Sequence, residues 1–396
     1  MQNGRFSVYL CEFTPLNMKS EILVVGGGIA GLTTAIALQQ KNIDFQVFEA
    51  VPEIKTIGSG ISLAGNAMKA LEKIGVAEDI KTRGHLITSM IIQDEQGTYV
   101  SAMDTEDLFR QHGMYNVAIH RGELHRALLG HIPEQKIQTN KKATGFYEKP
   151  GSVVVKFDDG TEYEGKAMIV ADGIHSIIRK QLLPESTVRY SGYTCWRGIA
   201  ENIWNLHQVA VETWGPAGRL GYVPIGNNQV YWFACKNAPQ KDEQMKNFTI
   251  ADLAKNFAGY AHPVPEVIAT TRSQNLVWND IIDLEPISQF AFGRVLLIGD
   301  AAHATTPNLG QGACLGIEDA IAVAQELSFH SDPTLAFKKF QNKRLSRAHY
   351  IVNSSYRLGR VAQVENRILA GLRNFALRMI PERANERQLA RVLGIG

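Results

Sequence analysis

The stretch EILVVGGGIAGL, residues 21–32, decides how the rest of the chain is read. An apolar, β-branched run ends in glycines and passes at once into the helix-spaced segment IAGLTTAIALQQK, then into a second apolar run, FQVFE. Strand, turn, helix and strand in this order open a doubly wound α/β fold. Gly26, Gly28 and Gly31 satisfy the spacing GxGxxG. The first permits a tight turn, the second lets backbone approach a pyrophosphate, and the third lets helix and strand pack closely. The helix start at Ile29 and Ala30 adds unpaired N–H groups and partial positive charge for phosphates. Glu49 closes the second strand, where a carboxylate accepts hydrogen bonds from a ribose diol and repels a 2′-phosphate. These residues predict the adenosine half of a dinucleotide and leave NAD and FAD both open.

Outward from that loop, composition sets the bounds. At 396 residues the chain exceeds one compact core, so one large interrupted domain or two domains is expected. A formal net charge of +2 gives no pull toward nucleic acid. The four cysteines (Cys11, Cys195, Cys235 and Cys314) show no CxxC and no metal-like spacing. No metal site is therefore expected, and a reducing, cytoplasmic setting fits. No apolar run approaches the roughly 20 residues of a membrane-spanning helix. Residues 1–17 read either as a dispensable extension ahead of a natural start at Met18 or as a surface strand.

Further along, GSGISLAGNAMKALEKIG (58–75) reads as a glycine turn and an amphipathic helix ending at Gly75. MIIQDEQGTYVSAM reads as a hairpin, HRGELHRALLGHI (120–132) as a helix, and SVVVKFDDGTEYEGKAMIV as a hairpin through Asp-Asp-Gly. Between about 185 and 290 come VRYSGYTCWRGIA, QVAVETWG, GRLGYVPIG and NQVYWFACK, short strands parted by Gly and Asn turns. They predict an antiparallel β-sheet inserted into the α/β domain. From about 335 the chain is helical and basic, read as a solvated helix face, with a contact to an acidic membrane or partner as the alternative. The expected division is an FAD-binding domain of 20–75, 100–180 and 285–330, a substrate-binding sheet of 76–99 and 181–284, and C-terminal helices of 331–396.

Two more loops resolve the cofactor. MIVADGIHSIIRK (168–180) carries Asp172, Gly173 and Arg179, and GDAAHATTPNLGQGACLGIED (299–319) carries Asp300, Pro307, Gly310, Gln311, Gly312 and Ala313. With GxGxxG, Glu49 and the helix-borne Arg121, the chain resembles the group A flavoprotein monooxygenases, whose fold is similar to that of p-hydroxybenzoate hydroxylase. The resemblance implies a Rossmann-type FAD-binding domain, tight non-covalent FAD, and NAD(P)H as a transient co-substrate. It implies hydroxylation or epoxidation of a small aromatic or polycyclic substrate by O2 through a flavin C4a-hydroperoxide, in a monomer or homodimer. In the same terms, Asp300 meets the ribityl hydroxyls and the loop from Pro307 to Ala313 meets the isoalloxazine. Arg121 contacts pyrophosphate or ribityl, Asp172, Gly173 and Arg179 serve FAD and the approach of NAD(P)H, and Gly60 and Ile61 border the flavin. An oxidase or dehydrogenase on the same scaffold, or a non-catalytic flavin-binding sensor, are the alternatives.

Within the family, GDAAHATTPNLGQGACLGIEDA and YSGYTCWRGIA resemble the branch that contains FAD-dependent urate hydroxylase and zeaxanthin epoxidase. The urate enzyme carries Asp after the loop proline, where this chain has Asn308. A carboxylate can act as a base, whereas an amide can only hydrogen-bond, so this departure speaks against urate. Arg219 matches the arginine that holds substrate in that enzyme, and Arg197 and Tyr231 are further candidate substrate contacts. His303 is read as fixing its loop rather than moving protons.

Overall fold

The computed structural model describes residues 19–53 and 59–395. The extension 1–17, Met18 and Gly58 lie outside these residues. The run Lys19–Val25 is a central strand of an eight-stranded sheet. It reads as continuously apolar because both faces are covered, with Ile22 to Val25 all buried. Phe45–Phe48 pairs with it in parallel on one side and Glu162–Val170 on the other, followed by Val295–Leu297, also parallel. The three strands that feed the three glycine loops therefore stand side by side. Their carboxyl ends open on one edge, where open α/β sheets bind ligands. The hairpin expected through Asp-Asp-Gly is Ser152–Phe157 with Glu162–Val170, and the helix expected at 120–132 spans Arg121–Leu129.

The second sheet has seven strands in the order Val277–Leu284, Val188–Glu201, Gln229–Asn237, Gly218–Ile225, Val209–Gly215, Ser89–Asp94 and Tyr99–Asp104. The expected hairpin of 90–103 forms its edge. One pairing departs from the antiparallel expectation, since Val209–Gly215 runs parallel to Ser89–Asp94. The chain leaves this sheet at Asp104 and returns only at Val188, so no tight turn dictates an antiparallel approach. Residues alternate between the two faces with the strand period of two. Trp196, Leu220 and Trp232 point to a core shared with Leu253, Phe257 and Ile268. That core is capped by helices Glu243–Lys246, Ile250–Asn256 and Val264–Ala269, which the sequence reading of 185–290 as sheet did not separate.

The opposite face looks toward the first sheet, and a small three-stranded sheet (Gly60–Leu63, Asn116–His120, His85–Ile87) lies at the junction. A Cβ at Gly60 would stand 2.4 Å from Tyr231 Cβ, so the glycine lets the two parts touch. The long helix Pro333–Ala362 crosses both. It is tied to helix Gly312–Phe329 by Arg344, which donates to Asp319 (2.7 Å) and pairs with Glu318 (2.7 Å). Among the described residues no helix is long and apolar enough to cross a membrane.

Candidate active site

The three glycine loops form one continuous surface. Gly26 has φ +110°, and a Cβ on it would meet the Ala171 carbonyl at 2.3 Å, so the first loop lies directly on the Asp172–Gly173 loop. Gly31 is as tight, its added Cβ falling 1.9 Å from the Gly26 carbonyl oxygen. The third loop is joined through Ala30, whose Cβ stands 3.0 Å from where a Cβ on Gly299 or on Gly316 would be. Three stretches separated by more than a hundred residues thus meet at one strand edge.

Gly28, Gly173 and Gly310 differ from these. A Cβ added to any of them meets nothing of the described residues within 4 Å. They line open backbone, which a long anionic cofactor needs on the way from the first loop to the third. Glu49 Oε2 accepts from the Gly27 N–H (2.6 Å) and Oε1 from the Val51 N–H (3.0 Å). The carboxylate thus sets the loop and keeps lone pairs for a ribose. Arg121 is exposed at the first turn of its helix, its backbone N–H bound to the Ser59 carbonyl. Its side chain has no hydrogen bond or ion pair among the described residues. Ile29 is buried and Ala30 and Ile61 are half-buried, while Asp300 and Pro307 are exposed beside the same loops.

Two of the expected cofactor residues have other partners. Arg179 is 1% exposed and donates to the carbonyls of Ala301 (3.1 Å) and Ile174 and to Ser186 Oγ (3.3 Å). Its guanidinium binds the second loop to the third. The Gln311 side chain faces away from the open backbone, its Oε1 accepting from Asn66 Nδ2 (3.0 Å). What Gln311 and Ala313 offer a ring is main chain at the start of helix Gly312–Phe329.

Asp172 Oδ1 is buried with no partner among the described residues. Burial pushes its carboxyl up to about 6, against the pull of the Ser176 hydrogen bond. A carboxyl with a higher pKa folded than unfolded takes up a proton on folding, so stability falls as pH rises from about 4 to about 6 and then levels off. Asp172→Asn apoprotein is expected to melt above the parent at pH 7–8 and to converge with it toward pH 4. Thermal melts across that range check this, and a pH-independent offset would refute it.

His303 is read correctly as a loop fixer. Its Nε2 lies 2.5 Å from Asp319 Oδ2, which also accepts from the Gly299 N–H (3.1 Å). Burial works against the Asp319 carboxylate, yet His303 and Arg344 outweigh it and hold its pKa below the usual range.

The face of the seven-stranded sheet that meets these loops carries the substrate candidates in cross-strand rows: Arg219, Cys235 and Cys195; then Gly221, Phe233 and Arg197; then Val223, Tyr231 and Ile199. Arg197 donates to Asn279 Oδ1 (3.3 Å) and hydrogen-bonds Tyr231. Arg219, 3% exposed, donates to Glu212 Oε1 (2.9 Å), Tyr193 Oη (3.4 Å) and Asn308 Oδ1. Asn308 Nδ2 in turn donates to Thr306 Oγ1 (2.9 Å) and the Ser355 carbonyl (2.8 Å). The long helix passes directly overhead, and a Cβ at Gly359 would be 2.4 Å from Asn308 Nδ2. The sequence reading missed Tyr193, Glu212, Ser355 and Gly359. For Glu212 a signal was present: the turn Gly215–Gly218 fixes the hairpin register and puts Glu212 on the Arg219 face.

Asn308→Asp reverses the polarity of one atom in this cluster. The new carboxylate oxygen faces the Ser355 carbonyl without a donor and competes with Glu212 for Arg219. The variant is expected to lose about 1–3 kcal/mol, read as a lower denaturation midpoint with unchanged slope.

A dinucleotide laid along the open backbone at the ends of these three strands would face the buried polar groups of the second sheet, the layout of a nucleotide-cofactor enzyme. Comparison with known proteins agrees. The model of the "FAD binding domain" family matches residues 19–355. The chain is 37% identical over 360 residues to "Aurachin C monooxygenase/isomerase" of Stigmatella aurantiaca (91% of this chain, 94% of that one). It is 33% identical over 381 residues to "2-heptyl-3-hydroxy-4(1H)-quinolone synthase" of Pseudomonas aeruginosa (95% and 98%). A crystal structure of Klebsiella pneumoniae HpxO with FAD and uric acid superposes with a TM-score of 0.89 at 29% identity, covering 95% of this chain and 97% of that one. The chain belongs to this FAD-binding family, among the group A aromatic monooxygenases, and is a flavoprotein enzyme.

Proposed function

We propose that the protein, with NAD(P)H as electron donor, oxygenates a neutral nitrogen-containing aromatic ring of the quinolone kind, in the cytoplasm. One observation carries this reading. The positive charge of Arg219 is compensated by buried Glu212, yet its Nε–H is buried without a partner among the described residues. Such a group repels nothing neutral and offers one donor to a ring carbonyl, whereas it has no spare charge for a carboxylate or urate anion. Asn308 reinforces this, because its side-chain oxygen is already accepting from Arg219 and Tyr193 and it supplies no base.

Bound FAD supplies hydride acceptance and the activation of O2. The chain's own residues do the rest. Gly28, Gly173 and Gly310 seat the cofactor, Arg121 and Glu49 hold its diphosphate and ribose, and Asp300 its ribityl chain. Arg219 Nε and the Tyr231–Arg197 pair orient the substrate, while Phe233, Val223 and Ile199 keep water out. The Tyr193 phenol, pushed well above its ordinary pKa by burial, stays a proton donor to Asn308 throughout. A quinolone substrate accords with the name of one similar protein, the 2-heptyl-3-hydroxy-4(1H)-quinolone synthase.

The test is NAD(P)H oxidation and product mass with purified FAD-loaded enzyme. Neutral 4-quinolones should stimulate turnover and gain one oxygen atom, and urate and hydroxybenzoates should not. Stoichiometric hydrogen peroxide with every compound tried would overturn the reading, and turnover with anionic rings alone would overturn the substrate class.

A further inference from the structure

Helix Arg367–Arg378 is packed inside out. A surface helix ordinarily turns its apolar stripe to the core. Here Ile368, Leu372, Phe375 and Met379, spaced four, three and four residues apart along one stripe, are 76%, 60%, 62% and 68% exposed. Leu369 and Ile380 widen the same surface. The side turned to the protein is largely polar, with Ala370 buried and Leu377 half-buried beside the polar groups. Asn374 is buried, and Arg373 donates to the carbonyls of Val361 (3.3 Å) and Ala362 (3.1 Å) and lies 4.9 Å over the Trp214 ring. Arg378 donates to the Tyr99 carbonyl (2.8 Å) and Asp94 (3.3 Å). These contacts clamp the helix to the end of the long helix Pro333–Ala362 and to the edge of the seven-stranded sheet, and fix its apolar stripe outward. Of the two readings of this basic tail, a solvated face and a contact with an acidic membrane or partner, the outward apolar stripe favours the second.

We infer that this helix and the turn after it, Met379–Pro381, dock on the surface of an anionic lipid bilayer. An aligned apolar stripe of this size on a monomer marks an interaction surface. The charge around it selects the occupant. From Arg357 to Arg391 the chain holds eight arginines, no lysine and three glutamates, in a protein whose net charge is only +2. Arg360 and Arg367 before the stripe, and Arg383 and Arg387 after it, are exposed and have no ion pair among the described residues. Apolar side chains enter the acyl boundary while arginines meet lipid phosphates, the pattern of a helix lying in the membrane plane. A second copy of the chain fits less well, because a two-fold contact sets like patches against each other and opposes these arginines to their own copies. The docking rests on the helix itself and stands apart from the substrate reading. Its consequence is that the edge of the seven-stranded sheet faces the bilayer, so that lipophilic compounds reach the sheet from the lipid phase.

The experiment is co-sedimentation of full-length, FAD-loaded protein with phosphatidylcholine vesicles with and without about 30% phosphatidylglycerol. The protein is expected to pellet with the anionic vesicles only. The triple variant Leu372→Ser, Phe375→Ser, Met379→Ser should bind them roughly a hundredfold more weakly. It should keep its flavin content and melting temperature, since none of the three side chains is buried. Arg360→Glu with Arg383→Glu should abolish the preference for anionic lipid. Protein that stays in solution with both vesicles, or binds both alike, would overturn the proposal. So would a wild-type dimer in sedimentation velocity that the triple variant turns into monomer without any lipid binding, which would assign the stripe to a second copy.

Discussion

Gly28→Val is expected to yield a folded but colourless protein. Gly28 has φ −75° and ψ −177°, extended backbone that any residue adopts, and no chain atom lies within 4 Å of a Cβ placed there. The apoprotein should therefore melt within about 0.5 kcal/mol of the parent. Its neighbours in the motif behave differently. Gly26→Ala and Gly31→Ala drive a Cβ to 2.3 Å and 1.9 Å from backbone oxygens, so they harm the fold itself. At Gly28 the side chain instead enters the open space that the proposed reading gives to the pyrophosphate. Losing two charge-assisted hydrogen bonds at about 1.5–3 kcal/mol each weakens FAD by roughly a hundredfold or more. Flavin absorbance after gel filtration, beside melts of the two apoproteins, reads both halves. Full flavin retention would move the pyrophosphate elsewhere, and a large loss of apoprotein stability would make Gly28 a packing residue like Gly31.

The same contrast shows what the sequence makes legible. GxGxxG, Asp172–Gly173 and Gly299–Asp300 each end a parallel strand, and local period and turn chemistry disclose that strand before any contact is known. Their meeting at one edge is long-range but follows from the order of strands in a doubly wound sheet. What stays hidden is which side chain a polar group chooses. Nothing near Arg179 announces that it bonds to the Ala301 carbonyl, 122 residues on. Nothing near Asn308 announces that Ser355 and Gly359, one helix later, make its slot. Helix Arg367–Arg378 is the clearest case. Its amphipathic period is plain in the sequence, but the period cannot say which side turns inward, and hydrophobicity gives the opposite answer to the one the arginine contacts impose.

Arg219→Met should have the largest effect on stability. Glu212 is 5% exposed, and Arg219 is its ion-pair partner at 2.9 Å. Removing one member of a buried pair leaves the other charge uncompensated, which costs about 3–5 kcal/mol. Tyr193 and Asn308 lose a donor at the same time. Glu212→Gln leaves the arginine still bonded to the Asn308 oxygen, so it should cost less. The double variant, with no buried charge in the cluster, should recover most of the loss, which a denaturant double-mutant cycle measures as coupling energy. Additive losses would show that the pair is solvated in practice and that Arg219 keeps its full charge for a ligand. Kinetics separate the structural from the substrate role. If Arg219 Nε holds a ring carbonyl, the refolded double variant keeps its flavin and its FAD reduction but shows a raised KM for the aromatic substrate. An unchanged KM would make Arg219 a positioning residue for Asn308 alone. The stability cycle and the KM are independent readouts of one guanidinium: Nη1 and Nη2 answer to the fold, and the KM tests whether Nε answers to the substrate.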